Sequence, residues 1–217
     1  MKRPLFPRHI ASVLLLSIVG TLPCVAGEPK EFVFVPDPEA AQSAMLSGET
    51  WVATGTDFTL RLQKIDDQER RAYIEKVTGS ATDPFASPPG QRPGYVTFLM
   101  QLENHGAGVL NFRSQQCWLV TNRNEHLHPI GMEGLRAEYG MVGRDLGPAY
   151  ERSLEAVVPT SRLLEAGRTL AGLLVYRAFK PSTRRYRLDI QIAAGTGDVA
   201  WISAPYRRIR KEQSEEP

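Results

Sequence analysis

Cysteine is nearly absent from this 217-residue chain, which has two, and histidine is scarce, with four. Cys24 falls in an apolar leader, so Cys117 stands alone in the remainder and no internal disulfide can form. Charge of one sign is lacking too. Lys and Arg total 26 against 24 Asp and Glu, and removing the leader takes away Lys2, Arg3 and Arg8 and no acid, leaving 23 against 24. A chain so balanced has no general electrostatic footprint for nucleic acid, and that partner class is excluded. Long apolar runs are missing: Ile10–Val19 is broken by Gly20 and Pro23 before the roughly 20 residues that a spanning helix needs, so no membrane span is expected. There is no Gly-x-Ser-x-Gly, no His-Glu-x-x-His, no local Cys-His signature and no glycine-rich loop before a helix. No catalytic residue and no cofactor can be named, and the chain reads as a non-enzyme.

What is present begins with a secretory signal. Met1–Arg8 is basic, Ile10–Val19 is apolar, and Cys24-Val25-Ala26 places small residues where a signal peptidase reads. Cleavage is expected after Ala26, which makes the protein exported, periplasmic or extracellular. A lipid anchor at Cys24 is the competing reading, and it is disfavoured because Thr21, Leu22 and Pro23 precede the cysteine where lipoprotein sites carry small residues.

Beyond the leader, residues 27–55 read as an N-terminal arm, 56–206 as one β domain, and 207–217 as a polar tail that frays. Phe58, Leu60 and Leu62 alternate with polar residues, as do Val96, Phe98, Met100 and Leu102, and again Tyr186, Leu188, Ile190 and Ile192. Period 2 of this kind marks half-buried strands. The run from Tyr95 to Val120, turning at Asn104–Gly108, reads as two paired strands at the centre of the core. Leu173–Tyr176 is apolar on both parities and reads as a central strand, while Gly195–Asp198 reads as a hairpin loop. One inserted helix is expected over 67–77, begun by Asp66 with Glu69 three residues on and ended by Gly79. A second short helix, opened by Pro148, spans 148–156. Between them lies a proline-rich loop over 80–94.

Leu102-Glu-Asn104 before the turn, and Gly167-Arg-Thr-Leu-Ala-Gly172 leading into an apolar strand that ends in Tyr176, resemble the immunoglobulin-like domains of unknown function found in bacterial exported proteins and lipoproteins. The likeness covers residues 56–66 and 95–193. It implies an antiparallel immunoglobulin-like β-sandwich and an exported location, and it carries over no reaction.

The sharpest chemical hint is the clustering of His105, His126 and His128. Two imidazoles two residues apart on a strand face one way, about 7 Å apart, and could share copper or zinc. The plainer reading puts three polar residues in turns and edges. A groove lined by Arg136, Arg144, Arg152, Tyr139 and Tyr150 for an acidic or carbohydrate ligand is a further candidate. The function expected is that of an exported, non-catalytic binding or envelope-structural module, for an envelope protein or a small ligand. Periplasmic metal binding or delivery through His126 and His128 is the alternative, and strand addition at a sheet edge a third.

Overall fold

The computed structural model describes residues 32–87, 91–141, 147–194 and 197–211. The leader and its cleavage and anchor sites lie outside them. Two antiparallel sheets face one another. The first holds β1 (Phe32–Pro36), β6 (Leu110–Arg113), β7 (Cys117–Thr121), β8 (His126–Leu127), β9 (Ser161–Leu164), β11 (Arg185–Ala194) and β12 (Val199–Arg210), in the order β1-β12-β11-β6-β9 with β7 and β8 also on the β11 side. The second runs β10-β5-β4-β3-β2, from β2 (Met45–Ser47), β3 (Thr50–Thr54), β4 (Phe58–Ile65), β5 (Tyr95–Asn104) and β10 (Thr169–Arg177). Alternate residues of both sheets fill the space between them: Leu60, Leu62, Phe98, Met100 and Tyr176 from one, Phe112, Leu119, Leu188, Ile190 and Ile202 from the other. The half-buried strands expected from the period-2 pattern form the β-sandwich that the resemblance implies.

The Tyr95–Val120 hairpin is not. β5 pairs with β4 and β10, while β6 and β7 pair with β11 in the opposite sheet, so the Asn104–Gly108 turn carries the chain across the sandwich. Alternation shows which residues face the core, and strands from either sheet do so with the same period. Asn104 fastens this corner: its Nδ2 donates to Gly108 O at 2.7 Å and Leu164 O at 2.8 Å, and its Oδ1 accepts from Gly106 N. Glycine is required at 106, where a Cβ would lie 2.5 Å from Asp57. The 3-10 turn at Ser114–Gln116 bulges between β6 and β7 without moving the chain to another sheet.

β10 is buried on both faces, as its apolar parities imply, yet it is an edge strand. Its free edge is closed by irregular backbone: Ile130 N donates to Val175 O at 2.7 Å and Val158 N to Leu173 O at 3.1 Å. Gly172 allows that approach, since a Cβ there would sit 3.1 Å from Ala156 O. The proposed arm and tail also join the body. β3 pairs with β4 and β1 pairs with β12, so residues 207–210 are strand where fraying was expected. The tail's arginines disguised a strand that continues the β12 pairing.

The outer face of the second sheet is covered by α1 (Asp67–Thr78), the loop that follows it, α2 (Met132–Met141) and α3 (Pro148–Ser153), which runs into a 3-10 turn at Leu154–Ala156. α1 has the foreseen capping box, with Asp66 Oδ1 accepting from Gln68 N and Glu69 N and Glu69 Oε2 accepting from Asp66 N, and Gly79 ends it at φ 68°. α2 was not foreseen, because Gly131, Gly134 and Gly140 argue against a helix. Arg70, 1% exposed, ties the cover together. Its Nε donates to Asp83 Oδ2 at 3.0 Å and its Nη2 to Asp83 Oδ2 at 2.8 Å and Phe85 O at 3.0 Å. Its Nη1 reaches Asp67 Oδ1 at 2.9 Å and Thr97 Oγ1 at 3.3 Å. All five donors of the guanidinium are thus used. Ser153, fully buried, pins α3 to the same loop, its Oγ 2.6 Å from Thr82 O and 2.9 Å from Ser80 Oγ.

Candidate functional site

The three histidines do not converge. His105 lies in the corner after β5, where its Nε2 is 3.2 Å from Thr59 Oγ1. His126 pairs with Val120 at the far end of the other sheet. β11 spans the interval: Ala194 pairs with Leu110 near the His105 end and Tyr186 with Thr121 near the His126 end. Eight residues of strand separate those pairs by roughly 26 Å. His128 stands edge-on to Trp118, with ring centroids 6.5 Å apart. Among the described residues no group of three or more His, Cys, Asp and Glu is placed to hold a metal ion. Nearness in sequence does not bring His105 to His126, because a strand carries its two ends apart.

Cys117 joins neither a metal site nor a reactive one. Its side chain is fully buried, its Sγ donates to Arg113 O at 3.8 Å, and burial pushes the thiol well above its ordinary range. The thiolate is the reactive form, so folded protein prepared without residues 1–26, and hence without Cys24, is expected to resist a disulfide reagent such as DTNB at pH 8 and to release one equivalent of reactive thiol per chain in denaturant. Fast stoichiometric labelling of native protein would contradict this. The candidate groove near α2 and α3 falls partly on described residues. Arg136 Nη2 is held by Glu151 Oε1 at 2.9 Å, Arg152 is exposed, and Arg144 and the side chain of Tyr139 lie outside the described residues.

The arginines that do converge are others. Arg184, Arg185, Arg207 and Arg208 line an open cleft of about 600 Å³ with Phe32 and Ile209, where β1, β11 and β12 meet. Register builds the cluster: Arg185 is the cross-strand partner of Arg207, which in turn faces Val35, and Arg208 N donates to Arg184 O. Arg208 is braced twice, its guanidinium carbon 3.8 Å from the Phe32 ring centroid and its Nη1 2.6 Å from Pro181 O. One carboxylate stands near, Asp37 Oδ1 at 4.0 Å from Arg207 Nε. Like charges placed directly opposite on paired strands cost stability, so this arrangement is not one that folding alone favours. Four planar, always-charged forks around an open cleft can take the oxygens of phosphate, sulfate or carboxylate groups. A signal for it existed in the sequence. The doublets Arg184-Arg185 and Arg207-Arg208 are equally distant from position 196, within the Gly195–Asp198 loop, so a hairpin centred there brings them side by side.

No family model matches the chain, and no curated protein matches it. Among solved structures it is similar to the yjhA protein from Bacillus subtilis, at 12% identity and a TM-score of 0.33 over 69% of this chain and 78% of that one. It is also similar to the putative ApaA protein from Bordetella pertussis, at 11% identity and a TM-score of 0.31 over 71% of this chain and 93% of that one. Likenesses this distant carry no argument about function.

Proposed function

We propose that this chain is an exported, non-catalytic binding module of immunoglobulin-like type that captures anionic groups in the arginine cleft. The observation that carries the reading is the concentration of Arg184, Arg185, Arg207 and Arg208 in one open cleft of a chain whose charges otherwise balance. Export is supported by the leader-like residues 1–26. The immunoglobulin-like assignment is supported by strand order: β4-β5-β10 facing β7-β11-β12 has the arrangement of A-B-E facing C-F-G. Among the described residues no helix is long and apolar enough to cross a membrane.

Long-chain polyphosphate is a suitable probe for the cleft, because it presents many anionic oxygens without any apolar surface. Calorimetric titration of the wild-type protein should show binding that weakens steeply with salt, since the contacts are exposed charges. Arg207→Ala should lower that affinity by about 1.5–3 kcal/mol, the worth of a charged hydrogen bond. The same substitution should change folding stability by no more than about 1 kcal/mol, because relief of the contact with Arg185 is offset by loss of the long pair to Asp37. An Arg207→Ala protein that bound polyphosphate as well as wild type would end the proposal and leave an envelope-structural role.

A further inference from the structure

The outer face of the sheet that carries the arginine cleft also carries an aromatic pair. Trp118 of β7 and Trp201 of β12 reach over β11 and stack, with centroids 5.6 Å apart and planes 16° from parallel. Trp201 remains 59% exposed, an unusual position for the residue with the largest apolar surface. Both point outward because their neighbours Cys117, Leu119 and Ile202 point in.

The groups around the pair are polar and ordered. Register sets Asp189 beside Trp118 and Gln191 beside Trp201. Asp189 is held in place by Arg187 Nε at 2.7 Å and Ser203 Oγ at 2.7 Å, with its carboxylate still partly open. Arg185 lies four residues from Asp189 on the same face, about 13 Å along the strand, opposite Arg207. One face therefore presents, in line, an indole platform, a fixed acceptor carboxylate with a carboxamide, and a cluster of cations.

We infer that this face is the binding track of an acidic polysaccharide, which the Trp118–Trp201 platform engages through a sugar ring while Arg185 and Arg207 take its anionic substituents. The inference rests on the anion-binding reading of the cleft and names its ligand class. Sugar rings offer a flat face of C–H groups that packs on an indole, ringed by hydroxyls that both donate and accept. Asp189 and Gln191 suit those hydroxyls. A nucleic acid is set aside by the balanced charge of the chain, 23 basic against 24 acidic residues beyond the leader. Trp118 and Trp201 are also spent partly on each other rather than projecting singly, as an inserting residue would.

The test uses protein purified from cells expressing the full chain, with polygalacturonate, neutral dextran, long-chain polyphosphate and phosphatidylglycerol vesicles as probes, read by calorimetry and by tryptophan emission. Polygalacturonate should bind, shift the emission of the exposed indoles to the blue, and outcompete dextran. Trp201→Ala should weaken polygalacturonate at least about tenfold, the loss of one stacked ring, while leaving polyphosphate binding and the thermal midpoint unchanged. Arg207→Ala should weaken both anions. Polyphosphate binding without polygalacturonate binding would overturn this inference and leave the cleft reading intact, whereas absence of both would overturn the two together. Polygalacturonate binding insensitive to Trp201→Ala, or vesicle binding abolished by it, would likewise overturn the saccharide assignment.

Discussion

Replacing Arg70 with methionine is expected to destabilise the protein by about 3–5 kcal/mol, a large part of the stability of an ordinary domain. The cause is what the substitution leaves behind. Asp83, whose side chain is 1% exposed, keeps the Phe85 N donor but loses its counter-charge, and Phe85 O and Thr97 Oγ1 each lose a donor. Removing one partner of a buried pair strands the other, whereas removing both is far milder. The double variant Arg70→Met with Asp83→Leu should therefore be more stable than Arg70→Met alone. Asp67→Ala should cost under about 1 kcal/mol, because that carboxylate is 45% exposed and its contribution is screened. Urea unfolding midpoints distinguish the three. Proteolysis should report the same event locally, with chymotryptic cleavage after Phe85, buried in the wild type, accelerated in Arg70→Met as the 80–87 segment loses its anchor. An Arg70→Met protein within about 0.5 kcal/mol of wild type would show that the network is ornamental.

The second large effect is alkaline. Tyr176, Tyr186 and Tyr206 are buried in the core, and burial raises all three phenols; a neighbouring Cys117 adds to the first and Tyr206 adds to the second. Above pH 10 the unfolded chain releases these protons while the folded chain holds them, so stability present at lower pH is lost as pH rises. Each such group contributes about 1.4 kcal/mol per pH unit. Three give a fall of about 4 kcal/mol per pH unit, to which the buried Cys117 thiol, raised likewise, adds about another 1.4, enough to unfold the protein within a few units of pH 10. Lys64 opposes this weakly, since burial lowers its amine and folding favours it neutral. Tyr186→Phe isolates one group. Its hydroxyl has no hydrogen-bond partner among the described residues. The substitution should raise stability at pH 7 by about 1 kcal/mol or more and make the alkaline fall shallower by about 1.4 kcal/mol per pH unit. Circular dichroism melts at pH 7, 9, 10 and 11 measure both; an unchanged slope would mean that Tyr186 does not stay protonated in the fold.

How much of this could be read beforehand depended on whether the information was local. The capping residues Asp66 and Glu69 and the terminator Gly79 act within four residues of one another, so the first helix was legible to within a residue. Strand faces were legible at β4, β5 and β11 for the same reason. Sheet membership was not, because β5 and β6 show the same alternation whether they pair with each other or face one another across the core. Apolar residues on both parities of β10 correctly implied cover on both faces but said nothing of its edge, which the backbone of Ile130 and Val158 closes. The candidate site divides likewise. His105 is close to His126 in number and far from it in space, whereas Arg185 and Arg207 are far apart in number and adjacent in space through the β11–β12 register.

That same register bears on the order in which the molecule can be completed. β1 begins at Phe32 and its partner residue is Arg210, a separation of 178 positions (210 minus 32). A chain delivered from its amino end therefore presents Phe32–Pro36 long before anything exists to pair with it, and the closing of this edge is the last contact to become available and the costliest in loop entropy. The arginine cleft, which needs Phe32, Arg185 and Arg207 together, comes into being only at that step. Competence to bind is then a report that residues 32 to 210 have all been delivered.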